Sequence, residues 1–323
     1  MKKLTRSLGT VILVLSSFKA VSAQASTLQE YCREITSLQG RKARIQSLIQ
    51  SYDQPGLMSV PNQYRTDKNF EGGYFDLGLC WWKSRFQRSM LYLARLSPEK
   101  PRPTRAEALQ IIRTVVKMES PVEIPGYDTV YAFTEAYKKE IIESLESWQR
   151  KDTVKGAVRT LNPLRPTFYR KTSSLFQQAQ IAETMLKEHG AIPYALLQYK
   201  GIYAHSWLIL QVTPLYDEVV LDYRPPYPPK TKKLLKGYRL IVENPNDAIY
   251  FTDVFRDTQQ ITGIYGLFDK YKLNNYIGEE EPFPFYIDWL RDLEDLNHAI
   301  QKTCKRSPQP TLLPDMAPWG TYQ

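Results

Sequence analysis

The sequence predicts an α+β fold, and three observations carry that expectation. Through His189 the apolar residues recur at helical spacing in several long stretches. From Ala191 the pattern changes to short apolar and β-branched runs of strand length, separated by turn residues. The helical part precedes the strand part instead of alternating with it, which argues against a βαβ parallel sheet. No internal repeat is visible.

Each element follows from its own pattern. Ser26 to Ser51 reads as a helix, with Leu28, Tyr31, Ile35, Leu38, Ile45 and Leu48 at roughly helical spacing and Ser26 or Thr27 as the cap. Tyr52 to Phe75 mixes prolines, glycines and aromatics without a period and reads as loop. Cys80 to Leu96 is a second helix. Phe86, Met90, Leu93 and Leu96 line one face, and Lys83, Arg85 and Arg88 place charge elsewhere. The proline-rich run from Ser97 to Pro103 ends it. Thr104 to Lys117 is helical, opened by the capping box Thr104-Arg105-Ala106-Glu107. Ser120 to Gly126 is a proline-bearing turn. Val130 to Arg150 is helical, with Tyr131, Phe133, Tyr137, Ile141, Leu145 and Trp148 as core positions. Lys151 to Arg170 is a basic, irregular link. Thr172 to His189 is a helix closed by Gly190.

Ile192 to Tyr199, Ala204 to Val212 and Glu218 to Tyr223 read as strands, and Pro225 to Pro229 as a stiff connector. Gly237 to Val242 and Ile249 to Thr252 add short strands. Val254 to Lys270 fits neither pattern. Phe285 to Lys302 reads as a last helix, and the residues after Arg306 as a loose tail. The organisation expected is a signal peptide over 1–25, one domain over 26–306 with a helical insertion at about 104–189, and a tail over 307–323.

The amino terminus has the form of an export signal. Lys2, Lys3 and Arg6 precede a short apolar core from Leu8 to Phe18, and Val21 to Ala25 offers cleavage after Ala23 or after Ala25. That core is too short to remain as a membrane anchor, and no later stretch is apolar over a longer run. The expected location is therefore periplasmic or secreted, in a bacterial setting. The formal charge is 43 − 34 = +9, and cleavage removes Lys2, Lys3, Arg6 and Lys19, leaving 9 − 4 = +5. A modest basic excess suits work near an anionic envelope polymer or membrane and is equally common without one. No nucleic-acid motif is present, so nucleic acid is not an expected partner. The three cysteines leave an odd one in an oxidising compartment. The expected disulfide joins Cys32, near the mature start, to Cys304, near the end. By the chain-entropy argument such a staple stabilises the fold by about 5 kcal/mol at most. Cys80 is left as the free thiol.

Cys80, His205 and Asp222 are the candidate catalytic residues. Cys80 stands in Gly78-Leu79-Cys80-Trp81-Trp82 at the start of a helix, where unsatisfied amides and the helix dipole favour thiolate. His205 opens one strand and Asp222 closes the next. Pro214 to Asp217 carries turn residues, and a hairpin centred near Thr213-Pro214 would set His205 opposite Asp222. A carboxylate there orients an imidazole toward a thiol. The Cys80 amide is the first candidate oxyanion donor, with Gln63, Asn69, Tyr74 or Trp81 as the second, and Asp217 and Glu218 are fallback partners for His205. Each residue also has a plainer reading: a cysteine beside two tryptophans is ordinarily core, a histidine at a strand start structural, an aspartate at a strand end a turn former. His189 and His298 read as surface residues, and the three histidines lack the HExxH spacing of catalytic zinc. No metal or cofactor is expected. Glu279-Glu280-Glu281 reads as a solvated loop.

Cys80-Trp81 followed by a helix resembles the nucleophile helix of papain-like thiol enzymes. Gly190-Ala191-Ile192-Pro193-Tyr194, then His205-Ser206-Trp207, then Asp222-Tyr223-Arg224-Pro225 resembles the transglutaminase-like branch of that superfamily, whose triad runs Cys, His, Asp in chain order. About a third of the chain is covered. The resemblance implies a nucleophile helix packed on a small antiparallel sheet, with Cys80, His205 and Asp222 as the triad. Two departures stand out: about a hundred mostly helical residues intervene before the Ile192 strand, and Tyr74 occupies the place of the papain-like glutamine. The function implied is a cysteine hydrolase or acyltransferase acting on amide bonds of peptides, proteins or peptidoglycan. The rival expectations are a catalytically inactive binding relative and a structural envelope protein.

Overall fold

The computed structural model of the chain describes residues 27–50, 58, 80–160, 175–198, 204–222, 230–244, 248–256, 260–261, 265–266, 283–288 and 292–304. The expected signal peptide, most of the 52–75 loop, the Pro225 to Pro229 connector, the Glu279 to Glu281 run and the tail after Arg306 lie outside them.

The fold is α+β. In chain order it holds α1 (Leu28–Thr36), α2 (Leu38–Gln50), α3 (Cys80–Leu93), β1 (Ala94–Ser97), α4 (Arg105–Val116), β2 (Val122–Pro125), α5 (Val130–Ala136), α6 (Lys138–Thr160), α7 (Leu175–Thr184), β3 (Tyr194–Gln198), β4 (Ala204–Asp222), β5 (Lys230–Asn244), β6 (Ala248–Phe255), β7 (Gln260–Ile261), β8 (Tyr265–Gly266), β9 (Phe283–Asp288) and α8 (Leu293–Thr303).

Local chemistry explains the boundaries. Thr27 caps α1 through a capping box with Glu30. The single helix expected over 26–51 is instead two, because Ser37 adopts an extended backbone and closes α1 on Glu34. The chain folds back so closely there that a Cβ on Gly40 would lie 2.1 Å from the Glu34 carbonyl oxygen. The Thr104–Glu107 capping box opens α4 as expected. α6 runs on to Thr160, through residues read as an irregular link. α7 passes into a π-helical turn, Met185–His189, and Gly190 ends it at φ +57°, with its amide donating to the Met185 carbonyl.

The other departures are strands. Residues 94–97 leave the helix expected to reach Leu96 and pair in parallel with 122–125, the segment read as a proline turn. Phe283–Asp288 is a strand paired with β3, so the last helix begins only at Leu293. These short pairings depend on distant partners, which periodicity cannot supply.

The main sheet has the order β7-β9-β3-β4-β5-β6-β8, and its pairings are antiparallel. Two cores form. One packs α1, α2, α7 and α8 with the sheet, centred on Tyr31, Ile35, Tyr92, Trp207, Leu208, Leu240 and Leu296. The other packs α4, α5, α6, β1 and β2, around Ile112, Val115, Ile124, Phe133 and Leu145. Helix α7 thus packs with the sheet, whereas α4, α5 and α6 pack with one side of α3. Helix α3 serves both cores. The Cys32–Cys304 disulfide is present with a Cα–Cα distance of 5.4 Å and joins α1 to the end of α8.

Candidate functional site

The site is organised by α3, whose two faces differ sharply in chemistry. Trp82, Phe86 and Met90 fall on one side at helical spacing and are buried in the α4–α6 core. Positions 80, 84, 87 and 91 fall on the other side. Ser84 and Gln87 there are fully buried, as are Lys83 and Arg88 alongside them.

This polar side meets the main sheet through specific bonds. The Tyr194 hydroxyl donates to the Trp81 carbonyl at 3.2 Å, and the two rings meet edge to face at 5.9 Å. Ser206 Oγ donates to Ser84 Oγ at 3.3 Å. Arg88 Nη1 donates to the Ile192 carbonyl at 3.2 Å. The Tyr92 hydroxyl donates to the Gly190 carbonyl at 2.9 Å and accepts the Ile192 amide at 2.8 Å. Burial pushes the Tyr92 phenol up from its ordinary range. Later α3 residues therefore meet earlier residues around β3, so the helix runs opposite to that strand. Its first turn, headed by Cys80, lies toward the β3–β4 end of the sheet.

Two arginines fix α3 to α8. Arg85 donates to Asp292 through Nε and Nη2, each at 2.6 Å, and Arg88 Nη2 adds a third contact at 3.3 Å. Arg85 also stacks over the Trp82 ring at 3.8 Å. Asp292 holds this position with a left-handed backbone, φ +60°. Burial lowers the pKa of the Arg88 guanidinium, and the Asp292 charge works against that. At the far end of α3, Arg44 Nη1 donates to the Leu91 and Ala94 carbonyls and the Tyr31 hydroxyl to the Tyr92 carbonyl.

The three candidate catalytic residues are placed by backbone alone; their side chains lie outside those described. Cys80 is the first residue of α3, His205 the second of β4, and Asp222 the last of β4. His205 pairs with Leu197, and Asp222 with Lys230. The structure thus brings the start of α3 and the start of β4 to one end of the sheet. It does not form the hairpin expected between His205 and Asp222. Residues 204–222 are a single 19-residue strand, in which Thr213 and Pro214 pair with Arg239 and Tyr238. At about 3.3 Å per residue its ends lie roughly 50–60 Å apart. The turn residues were misleading because their neighbours satisfy strand pairing with β5, with register shifts absorbing the irregularity. Asp217 and Glu218, the fallback partners, lie on the exposed far half of the same strand, where Asp217 pairs with Lys236 at 3.2 Å and Glu218 accepts from Thr231 at 2.9 Å.

Strand alternation adds a further constraint. Tyr194 and Leu208 face each other in the register, as do Leu196 and Ser206, and Tyr194 and Ser206 meet α3. Position 205 belongs with 207 to the alternate set. Of the proposed oxyanion donors, Gln63, Asn69 and Tyr74 lie outside the described residues, and Trp81 is turned toward Tyr194. His298 is exposed as expected, whereas His189 is half-buried and its carbonyl accepts Arg41 Nε at 2.6 Å.

What the sequence reading missed is the polar side of α3. Spacing alone shows that 82, 86 and 90 are apolar and 84 and 87 polar, but not that Ser84 and Gln87 are buried. No described helix is long and apolar enough to cross a membrane. No protein-family model, no curated protein and no solved structure matches this chain.

Proposed function

We propose that this chain is an exported thiol enzyme acting on amide bonds, with Cys80 as nucleophile and His205 as its base. What supports this reading is nearness of backbone alone: α3 docks on β4 through Ser84 and Ser206, four residues after Cys80 and one after His205. Cys80 attacks the carbonyl, helix-start amides receive the negative charge, and His205 passes the proton to the leaving amine; water or a second amine resolves the thioester. Asp222 has no part in the proposed dyad, since β4 carries it to the opposite end. The Cys32–Cys304 bridge supports an oxidising compartment, periplasmic or secreted. The substrates that suit that compartment are peptides, proteins or peptidoglycan peptides. The resemblance to transglutaminase-like enzymes leaves both hydrolysis and acyl transfer in view.

The alternate-face position of residue 205 favours a second reading, a non-catalytic binding or structural envelope protein built on the same scaffold. One experiment separates the two. Mature protein is incubated with peptidoglycan peptides and with a protein amide substrate, and amine release is measured for wild type, Cys80→Ala, His205→Ala and Asp222→Asn. The enzyme reading expects loss of at least 100-fold in the first two variants and less than 3-fold in the third. Release that persists in both Cys80→Ala and His205→Ala refutes the dyad.

A further inference from the structure

Helices α4 and α6 run side by side in the same direction. Arg105 on α4 pairs with Glu140 on α6 at 2.7 Å, and about three turns further along each helix Lys117 and Lys151 line one groove. That groove has a volume of about 510 Å³, within the range of ligand sites. At 1.5 Å per helical residue it is about 17 Å long, which matches roughly five residues of extended chain. Its floor is apolar: Ile112 is fully buried and Leu109 half-buried.

The two ends of the groove differ in charge. Glu140 and Glu143 stand toward one end, and Arg113, Lys117 and Lys151 toward the other. Arg113 makes no ion pair among the described residues. Lys117 has Glu119 at 3.2 Å, but both side chains are so exposed that the pair holds little energy. Lys151 sits over the Trp148 ring at 4.5 Å, and Trp148 packs in turn on Trp82 of α3 at 5.3 Å. Basic residues in the last turn of α4 complement its dipole, whereas Lys151 lies in the middle of α6, where the dipole asks for no cation. Between the two ends, the half-buried side chains of Ser144 and Ser147 line the groove, and their hydroxyls bond to no described residue. A helical serine commonly turns its hydroxyl to the carbonyl one turn back, as Ser89 does to Arg85.

We propose that this groove binds a short extended peptide by its carboxyl-terminal carboxylate. The carboxylate sits among Arg113, Lys117 and Lys151, the peptide backbone bonds to Ser144 and Ser147, and aliphatic side chains lie on Leu109 and Ile112. The carboxylates at the other end repel an anion and so set the direction of the chain. The aliphatic floor favours a peptide over an anionic glycan. The inference concerns binding and stands apart from the thiol reading of Cys80.

Binding is measured by calorimetry on mature protein carrying Cys80→Ala, so that no turnover intervenes. The probe is an acetylated pentapeptide of alanine and leucine with a free carboxylate; the comparators are the same peptide amidated at that end and a glucuronate disaccharide. The free acid should bind about 10-fold more tightly than the amide. Arg113→Gln and Lys151→Gln should each weaken it about 5-fold, and Lys232→Gln, which removes an exposed lysine on β5, should leave it within about 2-fold. All three side chains are exposed, and unchanged thermal melts confirm folded protein. Equal affinity for acid and amide overturns the inference, as does a loss in Lys232→Gln equal to that in Lys151→Gln, which reads net charge alone. A disaccharide that binds more tightly than the peptide overturns the choice of a peptide. The Cys80→Ala background keeps the two proposals apart: peptide binding persists there whether or not amine release depends on Cys80.

Discussion

The two sides of helix α3 face two cores built on different principles. Toward α4–α6 the helix offers Trp82, Phe86 and Met90 to an apolar cluster held by Ile112, Val115, Phe133 and Leu145. On its other side it buries Lys83, Ser84, Gln87 and Arg88, with Ser84 bound to Ser206 and Arg88 to Ile192 and Asp292. The first interface gains stability simply by removing apolar area from water. In the second, each buried polar group needs a placed partner, and misplacement is costly. Specific geometry is thus built into one side of α3 and shape filling into the other. The polar side is where a reacting group at Cys80 would be supported.

This contrast can be broken experimentally. The largest effect is expected from Asp292→Ala, which leaves Arg85 and the fully buried Arg88 without their carboxylate. Urea unfolding should show a loss of about 3–5 kcal/mol, and Cys80 labelling should change with it. A loss under 1 kcal/mol would mean that the arginines are held by other groups. Phe133→Ala, in the apolar core, should cost a similar 3–5 kcal/mol by leaving a cavity, while the pH midpoint of Cys80 alkylation stays where it was. A midpoint that moves in this variant would show that the two sides of α3 are not independent.

Opening the Cys32–Cys304 bridge by Cys304→Ala should cost on the order of 2–5 kcal/mol in the same unfolding measurement. The bridge joins α1 to α8, and both grip α3: α8 by Asp292 and α1 by the Tyr31 hydroxyl. Thr104→Ala should remove about 1 kcal/mol through the lost cap of α4, with no effect on the polar side.

The smallest effect is a pH dependence at β2. Burial raises the Glu123 carboxyl, but hydrogen bonds from Lys100 and Ser97 and the Arg95 charge outweigh it and hold the group below its ordinary range. A depressed folded pKa contributes stability that is present above the ordinary carboxylate value and lost as pH falls through the folded one. Comparing urea midpoints at pH 7 and pH 3, Glu123→Gln should lose less than wild type on acidification. Equal losses would remove Glu123 from the acid response.

How much of this was legible beforehand varies from element to element. The Thr104–Glu107 capping box and the Gly190 stop were readable because their chemistry is contained within one turn of chain. The Cys32–Cys304 pair followed from an odd cysteine count and two terminal positions. The start of α3 at Cys80 was readable, but the polar stripe beneath it was not, because Lys83 and Arg88 on a surface helix and on a buried one have the same spacing. β4 was read as two strands because Pro214 and Asp217 carry turn chemistry, and only pairing with β5 overrides it.

The sequence by itself determined the α+β order, most helix ends, the disulfide and the helix start at Cys80, since each depends on residues a few positions apart or on cysteine chemistry alone. The tertiary structure decided which polar groups are buried, that β4 runs unbroken from Ala204 to Asp222, and that α3 docks on the start of that strand. Those outcomes depend on partners beyond the local turn of chain, and register and desolvation are set only when such partners meet.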